Sequence, residues 1–209
     1  MITEKGIKGF TLIELLTAGT IMVVVLLAIY LMYETNQSTF IRGEVKSNLH
    51  QNARVAMGDM VRALRNAGYD PVGTGIFGFK DASEFTSVAS DTEVRFTLDE
   101  DGDGVLDHND IEKTGFSLRT RVDGSKYLGK YSLGAVSWQP LAEKIEGLKF
   151  TYFDSSNNPI PNPPNPPYSL SAGQRGSIRK VRIELTFKDT PVGQGTQTFS
   201  LTSEVSLRN

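Results

Sequence analysis

The stretch KGFTLIELLTAGTIMVVVLLAIYLMY, residues 8–33, decides how this chain is organised. From Leu15 to Tyr33 it runs for 19 residues without a charge. As a helix, that run is roughly 28 Å long, about the thickness of the hydrocarbon core of a membrane. A soluble helix of this length with no polar face would be unusual. We therefore expect a transmembrane segment at about residues 12–33.

The residues that flank this segment predict its orientation. Lys5 and Lys8 precede it and favour a cytoplasmic N-terminus, which places everything after Glu34 outside. A secretory signal peptide would have a small-residue cleavage site after its apolar part, and residues 30–34 contain none. We expect the apolar segment to stay in the mature protein. The chain would then be a single-pass protein of the cytoplasmic membrane with a periplasmic or extracellular globular domain.

The junction GFTLIELL, residues 9–16, resembles the prepilin leader-peptide junction without a departure from that pattern. The resemblance implies that residues 1–9 are a leader, that a prepilin peptidase cuts after Gly9, and that the new amino group of Phe10 is methylated. Gly9 suits cleavage because its backbone is unhindered. The alternative is a plain signal anchor with a chance glutamate.

Glu14 is the only charged residue between Phe10 and Tyr33. A carboxylate near the edge of a membrane helix is costly and usually marks a function or a partner. In related pilins the glutamate of one subunit is thought to meet the N-terminal amine of a neighbour. The resemblance implies that Glu14 sets the axial register of assembly in this way, because the pair neutralises both charges. The alternative is that Glu14 extends to the lipid headgroups.

Past the apolar segment the sequence becomes amphipathic. Apolar residues recur every three or four positions, as on one stripe of a helix: Ile41, Val45, Leu49, Ala53, Ala56, Met60, Leu64 and Ala67. Gly68 offers a stop signal and Pro71 prevents continuation. We expect one helix over residues 10–68, uninterrupted or broken near Gly43 or Gly58, whose second half lies against a sheet.

The remaining part, residues 69–209, is predicted to be a β-rich domain. Apolar and polar residues alternate with period two in five runs, at residues 93–98, 116–122, 148–153, 181–187 and 198–207. Such alternation indicates antiparallel strands with one wet face. The fold class is therefore α+β, with a long N-terminal helix packed on an antiparallel β-sheet domain, as in pilins. The proline-rich segment 157–167 is expected to be a loop or a stiff extended segment that connects two strands; the alternative is a surface that faces a partner.

Two further segments are similar to the PilW-type minor pilins. Residues 49–71 contain an Asn-Ala-Arg turn at 52–54 and an Arg-x-Ala-Gly-Tyr ending at 65–69, and residues 141–152 add a third stretch. The resemblance implies a minor subunit, related to the J-type pseudopilins of type II secretion, rather than a major pilin.

An acidic loop, DEDGDGVLDHND at residues 99–110, matches the spacing of an EF-hand-type calcium loop. Alternating carboxylates can converge on one hard cation, and Gly104 permits the turn that follows. The predicted ligands are Asp99, Asp101, Asp103, the carbonyl of Val105, Asp107 and Asp110. Position 110 resembles the dockerin variant, because EF-hands usually have a glutamate there. We expect calcium in a structural role; the alternative is a solvated acidic turn.

Composition and motifs argue against catalysis and nucleic-acid binding. The net charge is −2 with no long block of one sign, so nothing indicates binding to nucleic acid. Cysteine is absent, which excludes a disulfide, a thiolate metal site and a cysteine nucleophile. The two histidines, His50 and His108, complete no Ser-His-carboxylate set. Arg175 and Arg179 are interpreted as surface charges and Trp138 as a core residue or buried anchor. No catalytic residue is expected, and the chain is not predicted to be an enzyme.

The sequence therefore predicts a minor pilin or pseudopilin that takes part in the initiation, assembly or capping of a type IV pilus-like filament. The partners that the resemblance implies are other pilin subunits, the prepilin peptidase, the inner-membrane assembly platform and, before assembly, membrane lipid. Three alternatives stay open: a filament-tip adhesin, a minor pseudopilin of a type II secretion system, and a calcium-stabilised anchored protein that never polymerises.

Overall fold

The computed structural model describes residues 9–82, 85–107, 112–132, 137–191 and 195–208. The chain forms two compact units, residues 1–44 and residues 45–209. Of the predicted leader, residues 1–9, only Gly9 is described; residues 1–8, with Lys5 and Lys8, lie outside the described residues, as does His108.

One helix, α1 (Leu12–Arg65), accounts for the predicted apolar and amphipathic segments. In the first unit its residues from Leu12 to Tyr33 are all exposed, and the helix is long and apolar enough to cross a membrane by length and composition. The helix continues through Gly43 and Gly58, because an isolated glycine costs a helix only about 1 kcal/mol relative to alanine.

The end of α1 follows the predicted stop signal. The helix ends at Arg65, three residues earlier than expected, and a turn leads to Gly68. Gly68 has a φ of 76°, a left-handed conformation that glycine adopts without strain. Its N–H donates to the carbonyl oxygen of Thr97 at 3.0 Å, which ties the helix end to a strand.

The β-rich part forms two antiparallel sheets. The first has the order β1-β2-β3-β4-β5 and contains β1 (Val88–Ala89), β2 (Glu93–Thr97), β3 (Lys113–Thr120), β4 (Lys126–Ser132) and β5 (Ser137–Glu143). The second has the order β7-β6-β8-β9 and contains β6 (Ile145–Phe153), β7 (Pro159–Ile160), β8 (Lys180–Asp189) and β9 (Gln197–Ser206). A short helix, α2 (Ala172–Arg175), precedes β8. The predicted α+β class is confirmed.

The core lies between the second half of α1 and the inner faces of both sheets. Six members of the predicted stripe are buried: Leu49, Ala53, Ala56, Met60, Leu64 and Ala67. They pack with alternate strand residues, including Phe96, Phe116, Leu128, Phe150, Ile183 and Leu185. The side chain of Lys130 on β4 reaches Asp59 on α1 at 2.9 Å, so an ion pair also joins the helix to the first sheet.

Some strands of the β-rich domain lie where the sequence did not predict them. The proline-rich segment contains one short extended stretch, because Pro159 and Ile160 form β7 and pair with Phe153 and Tyr152. Proline fits there since an edge strand can lack one N–H donor. Strands β1, β4 and β5 were not predicted at all.

Two individual side chains also lie elsewhere than expected. Trp138 is half-buried on the edge strand β5 rather than in the core, where its ring contacts Tyr131 and the guanidinium of Arg119. Arg175 is not a surface charge, because only 8% of it is exposed. Its guanidinium donates to the carbonyl oxygens of Phe79 and Leu170 and to Asp81 at 2.5 Å, and these acceptors compensate the buried charge.

Candidate functional site

The predicted processing junction lies immediately before α1. Gly9 and Phe10 have no regular secondary structure, and Phe10 is 91% exposed. A protease must draw an extended backbone into its active site. No part of the chain that the structure describes covers the backbone at Gly9 and Phe10. A side chain at position 9 would have no other atom within 4 Å of its Cβ, so packing does not require a glycine there.

Glu14 and Thr11 form a reciprocal cap on the first turn of α1. The N–H and the hydroxyl of Thr11 both donate to Oε2 of Glu14 at 2.9 Å. The N–H of Glu14 approaches Oγ1 of Thr11 at 3.3 Å. This is the capping-box arrangement, in which residues three apart satisfy N–H groups that a helix start leaves unpaired. The carboxylate is also favoured there by the helix dipole.

The cap uses one oxygen of the Glu14 carboxylate and leaves the other, Oε1, able to accept a hydrogen bond. Both bonds from Thr11 end on Oε2, while Oε1 makes no hydrogen bond or ion pair with any residue in the described ranges. A carboxylate accepts several hydrogen bonds, so Oε1 can accept one more from a cation without breaking the cap. Gly9, Phe10 and Glu14 therefore lie together within one turn of the helix start.

The contribution of Thr11 was not predicted from the sequence. The signal was present: a threonine, two apolar residues and a glutamate ahead of an apolar run is the pattern of a capping box. The sequence predicts an assembly role for Glu14, with extension to the lipid headgroups as the alternative, and the structure adds a local role in the helix cap.

The acidic loop connects β2 to β3, so strands bracket it as predicted. Its first aspartate, Asp99, is fully buried and accepts N–H groups from Gly102 at 2.7 Å and Gly104 at 3.1 Å. These two glycines have φ values of 81° and 75°, which most side chains would strain. The N–H of Asp99 donates to the carbonyl oxygen of Tyr69, which fixes the loop to the end of α1.

The predicted cation ligands converge in part. One oxygen from each of Asp99, Asp101 and Asp103 lies within 4.8 Å of the others, a spacing that one cation can bridge. Val105 is 56% exposed, and Asp107 is also exposed. Asp110, the last predicted ligand, lies outside the described residues.

A buried glutamate beside the loop was not predicted. Only 1% of Glu112 is exposed, and its carboxylate accepts N–H groups from Glu100 at 3.2 Å and Asp107 at 2.9 Å. Burial raises the pKa of Glu112, and the charges of Asp101 and Asp99 add to the effect. Backbone N–H groups from the two ends of the described part of the loop therefore bind the same carboxylate, that of Glu112. Its position, two residues beyond the loop pattern, gave no sequence signal.

One of the comparisons with known proteins identifies the family. The family model described as PpdB, prepilin peptidase-dependent protein B, matches residues 44–207, which is 164 of the 209 residues. Among curated proteins, none matches this chain. The family match spans the second half of α1 and both sheets, so it is independent of the junction at residues 9–16. The chain therefore belongs to the prepilin peptidase-dependent protein B family and is a pilin-like protein.

Proposed function

We propose that this chain is a minor subunit of a type IV pilus-like filament, cut after Gly9 by the prepilin peptidase and stored in the cytoplasmic membrane until assembly. The observation that carries the proposal is the exposed junction before an exposed apolar helix, in a chain whose β-rich part belongs to a prepilin peptidase-dependent family. The proposal assigns no catalytic role to the chain.

Glu14 would act in assembly through the free side of its carboxylate. After cleavage, the amine of Phe10 carries a positive charge. The Oε1 atom of Glu14 in one subunit would accept this amine from a neighbour, while Oε2 keeps the cap with Thr11. Two charges that are costly in an apolar environment would then compensate each other, which favours a single register between neighbouring helices.

The test compares carboxylates at the two ends of the apolar segment. Glu14→Val should still insert into the membrane but should be strongly reduced in sheared filaments, because the neighbour's amine would have no partner. The matched control Glu34→Val removes a carboxylate beyond Tyr33 and should enter filaments as the wild type does. Incorporation of Glu14→Val at the wild-type level would contradict the assembly role. Absence of the wild-type chain from sheared filaments would contradict the filament role itself.

We also propose that the acidic loop binds calcium structurally. Convergence of Asp99, Asp101 and Asp103 supports this, and three carboxylates this close repel one another unless a cation or protons compensate them. Asp107, Asp110 and the carbonyl of Val105 would complete the ligands. Because strands flank the loop, calcium would hold the connection between β2 and β3 in place rather than open a pair of helices.

Isothermal titration of the full chain in detergent tests this proposal. We expect calcium to bind with one site per chain, and magnesium to bind more weakly because it demands a stricter geometry and keeps its waters. No heat of binding at millimolar calcium would contradict the proposal.

A further inference from the structure

The outer face near the end of α1 carries three arginines without acidic partners. Arg54, Arg62 and Arg65 are all exposed, and with about 3.6 residues per turn they lie within an arc of about 80°. No carboxylate in the described ranges pairs with them, since Asp59, the acid between them in sequence, binds Lys130 at 2.9 Å. A solvated helix face usually mixes both signs of charge, because opposite charges three or four residues apart stabilise it. We call these three residues the arginine face.

The acidic loop carries the opposite charge at the same end of the helix. Four of its carboxylates are exposed: Glu100, Asp101, Asp103 and Asp107. No lysine or arginine in the described part of the chain pairs with them. The loop stays negative even with calcium bound, because its five aspartates outweigh the two charges of one calcium ion. The N–H of Asp99 donates to the carbonyl oxygen of Tyr69 at 2.8 Å, so the loop is attached four residues beyond Arg65.

The filament proposed above supplies a geometry in which these two surfaces meet. When Oε1 of Glu14 accepts the amine of Phe10 from a neighbour, the two parallel helices are offset by four residues, roughly 6 Å along the axis. The same offset, in the same direction, brings Arg65 of that neighbour to the level of Tyr69, where the acidic loop is attached. One register between parallel copies therefore serves both pairs of charges.

We propose that the acidic loop of one copy binds Arg62 and Arg65 of the next copy in the filament. This inference rests on the proposed function, in which both copies point the same way in one membrane. Each copy offers its loop to one neighbour and its arginine face to another, and such a head-to-tail contact repeats into an open filament. Arg54 lies outside the contact, because it precedes Arg62 by eight residues, roughly 12 Å along the helix.

An exchange of charges tests the ion pair. Arg65→Glu and Glu100→Lys should each lower entry of the full chain into sheared filaments about fivefold, as loss of one surface ion pair can do. Glu100 is not a predicted calcium ligand, so its variant leaves that site intact. The double variant carries the exchanged pair and should recover wild-type entry. Arg54→Glu is the matched control and should enter as the wild type does. No recovery in the double variant, or an equal loss in Arg54→Glu, would overturn the proposal.

Single cysteines test the contact directly, since the chain contains none of its own. Two differently tagged chains, Arg62→Cys and Val105→Cys, are produced in the same cells. The side chain at position 105 is exposed, and its substitution keeps every carboxylate of the loop. A short bismaleimide should link these two chains in sheared filaments, and should link Arg54→Cys to Val105→Cys much less. Equal linking at positions 54 and 62, or none at 62, would overturn the proposal.

The same filaments separate this inference from the proposed function. Entry of the wild type and exclusion of Glu14→Val, together with no link from position 62 to position 105, would overturn this contact and leave the filament role standing. Absence of the wild-type chain from the filaments would overturn both.

Discussion

Thr11 and Glu14 cap the start of α1 together: both donors of Thr11 end on the same oxygen, Oε2 of Glu14, at 2.9 Å. Glu14 therefore has two roles that a Glu14 variant removes together, namely the local cap and the free carboxylate oxygen. Variants of Thr11 separate them, because they remove the cap and keep the charge.

Thr11→Ala should fray the first turn of α1 without preventing filament entry. Loss of such a cap typically costs about 1 kcal/mol, so amide hydrogen exchange over residues 12–14 should accelerate about fivefold. Thr11→Ser retains the hydroxyl and is the matched control. If Thr11→Ala is excluded from filaments as strongly as Glu14→Val, the cap rather than the charge accounts for assembly.

Met60→Ala should destabilise the β-rich part strongly. Met60 is fully buried between α1 and the sheets, and truncation there would leave a cavity. We expect a loss of about 2–5 kcal/mol in the free energy of unfolding. Val55→Ala on the same helix is the control, because Val55 is 62% exposed and should change stability by less than about 0.5 kcal/mol. Similar losses for both, measured by urea denaturation, would contradict the position of the core.

Asp70 should make stability depend on pH. Burial opposes its ionisation, but N–H groups of Gly75, Thr74 and Gly73 outweigh burial and lower the pKa of its carboxyl. A lowered pKa in the folded state stabilises the protein above the unfolded pKa, near 3.9, and the contribution is lost as the pH falls through the folded value.

Asp70→Asn should therefore be less stable than the wild type at pH 7, and the difference should shrink below pH 3. Urea denaturation at both pH values measures it, with the exposed Glu44→Gln as the control. A difference that stays constant with pH would contradict the role of the ionised carboxylate.

Calcium should raise the melting temperature through the acidic loop. We expect Asp101→Asn to remove most of the increase, because it deletes one of three convergent charges. Asp123→Asn is the control, since Asp123 lies in the turn between β3 and β4 and contacts Ser125. Equal increases for both variants would place the calcium effect outside residues 99–110.

The long helix and its buried face were predictable because their signals are local. A run without charges and a repeat of three or four residues depend on helix geometry alone. The five predicted strands share this property, since each alternates with period two. Strands β4 and β5 escaped prediction because Gly129 and Pro140 interrupt their patterns.

The environments of single side chains were not predictable in the same way. Arg175 is buried because Phe79 and Asp81, nearly a hundred residues earlier, bring acceptors to it. Glu112 is buried because the loop folds back on it, which a spacing pattern does not show. The burial of Arg175 and of Glu112 depends on contacts between distant or folded-back segments. Sequence periodicity shows only how neighbouring residues along the chain are arranged.

Intact-mass and N-terminal peptide mass spectrometry of the chain from cells with an active prepilin peptidase tests the central claim most directly. We expect a mature chain that begins at Phe10 with a methylated amino group. A chain that still begins at Met1 under those conditions would contradict the account, since Glu14 would then have no free N-terminal amine of a neighbour to meet.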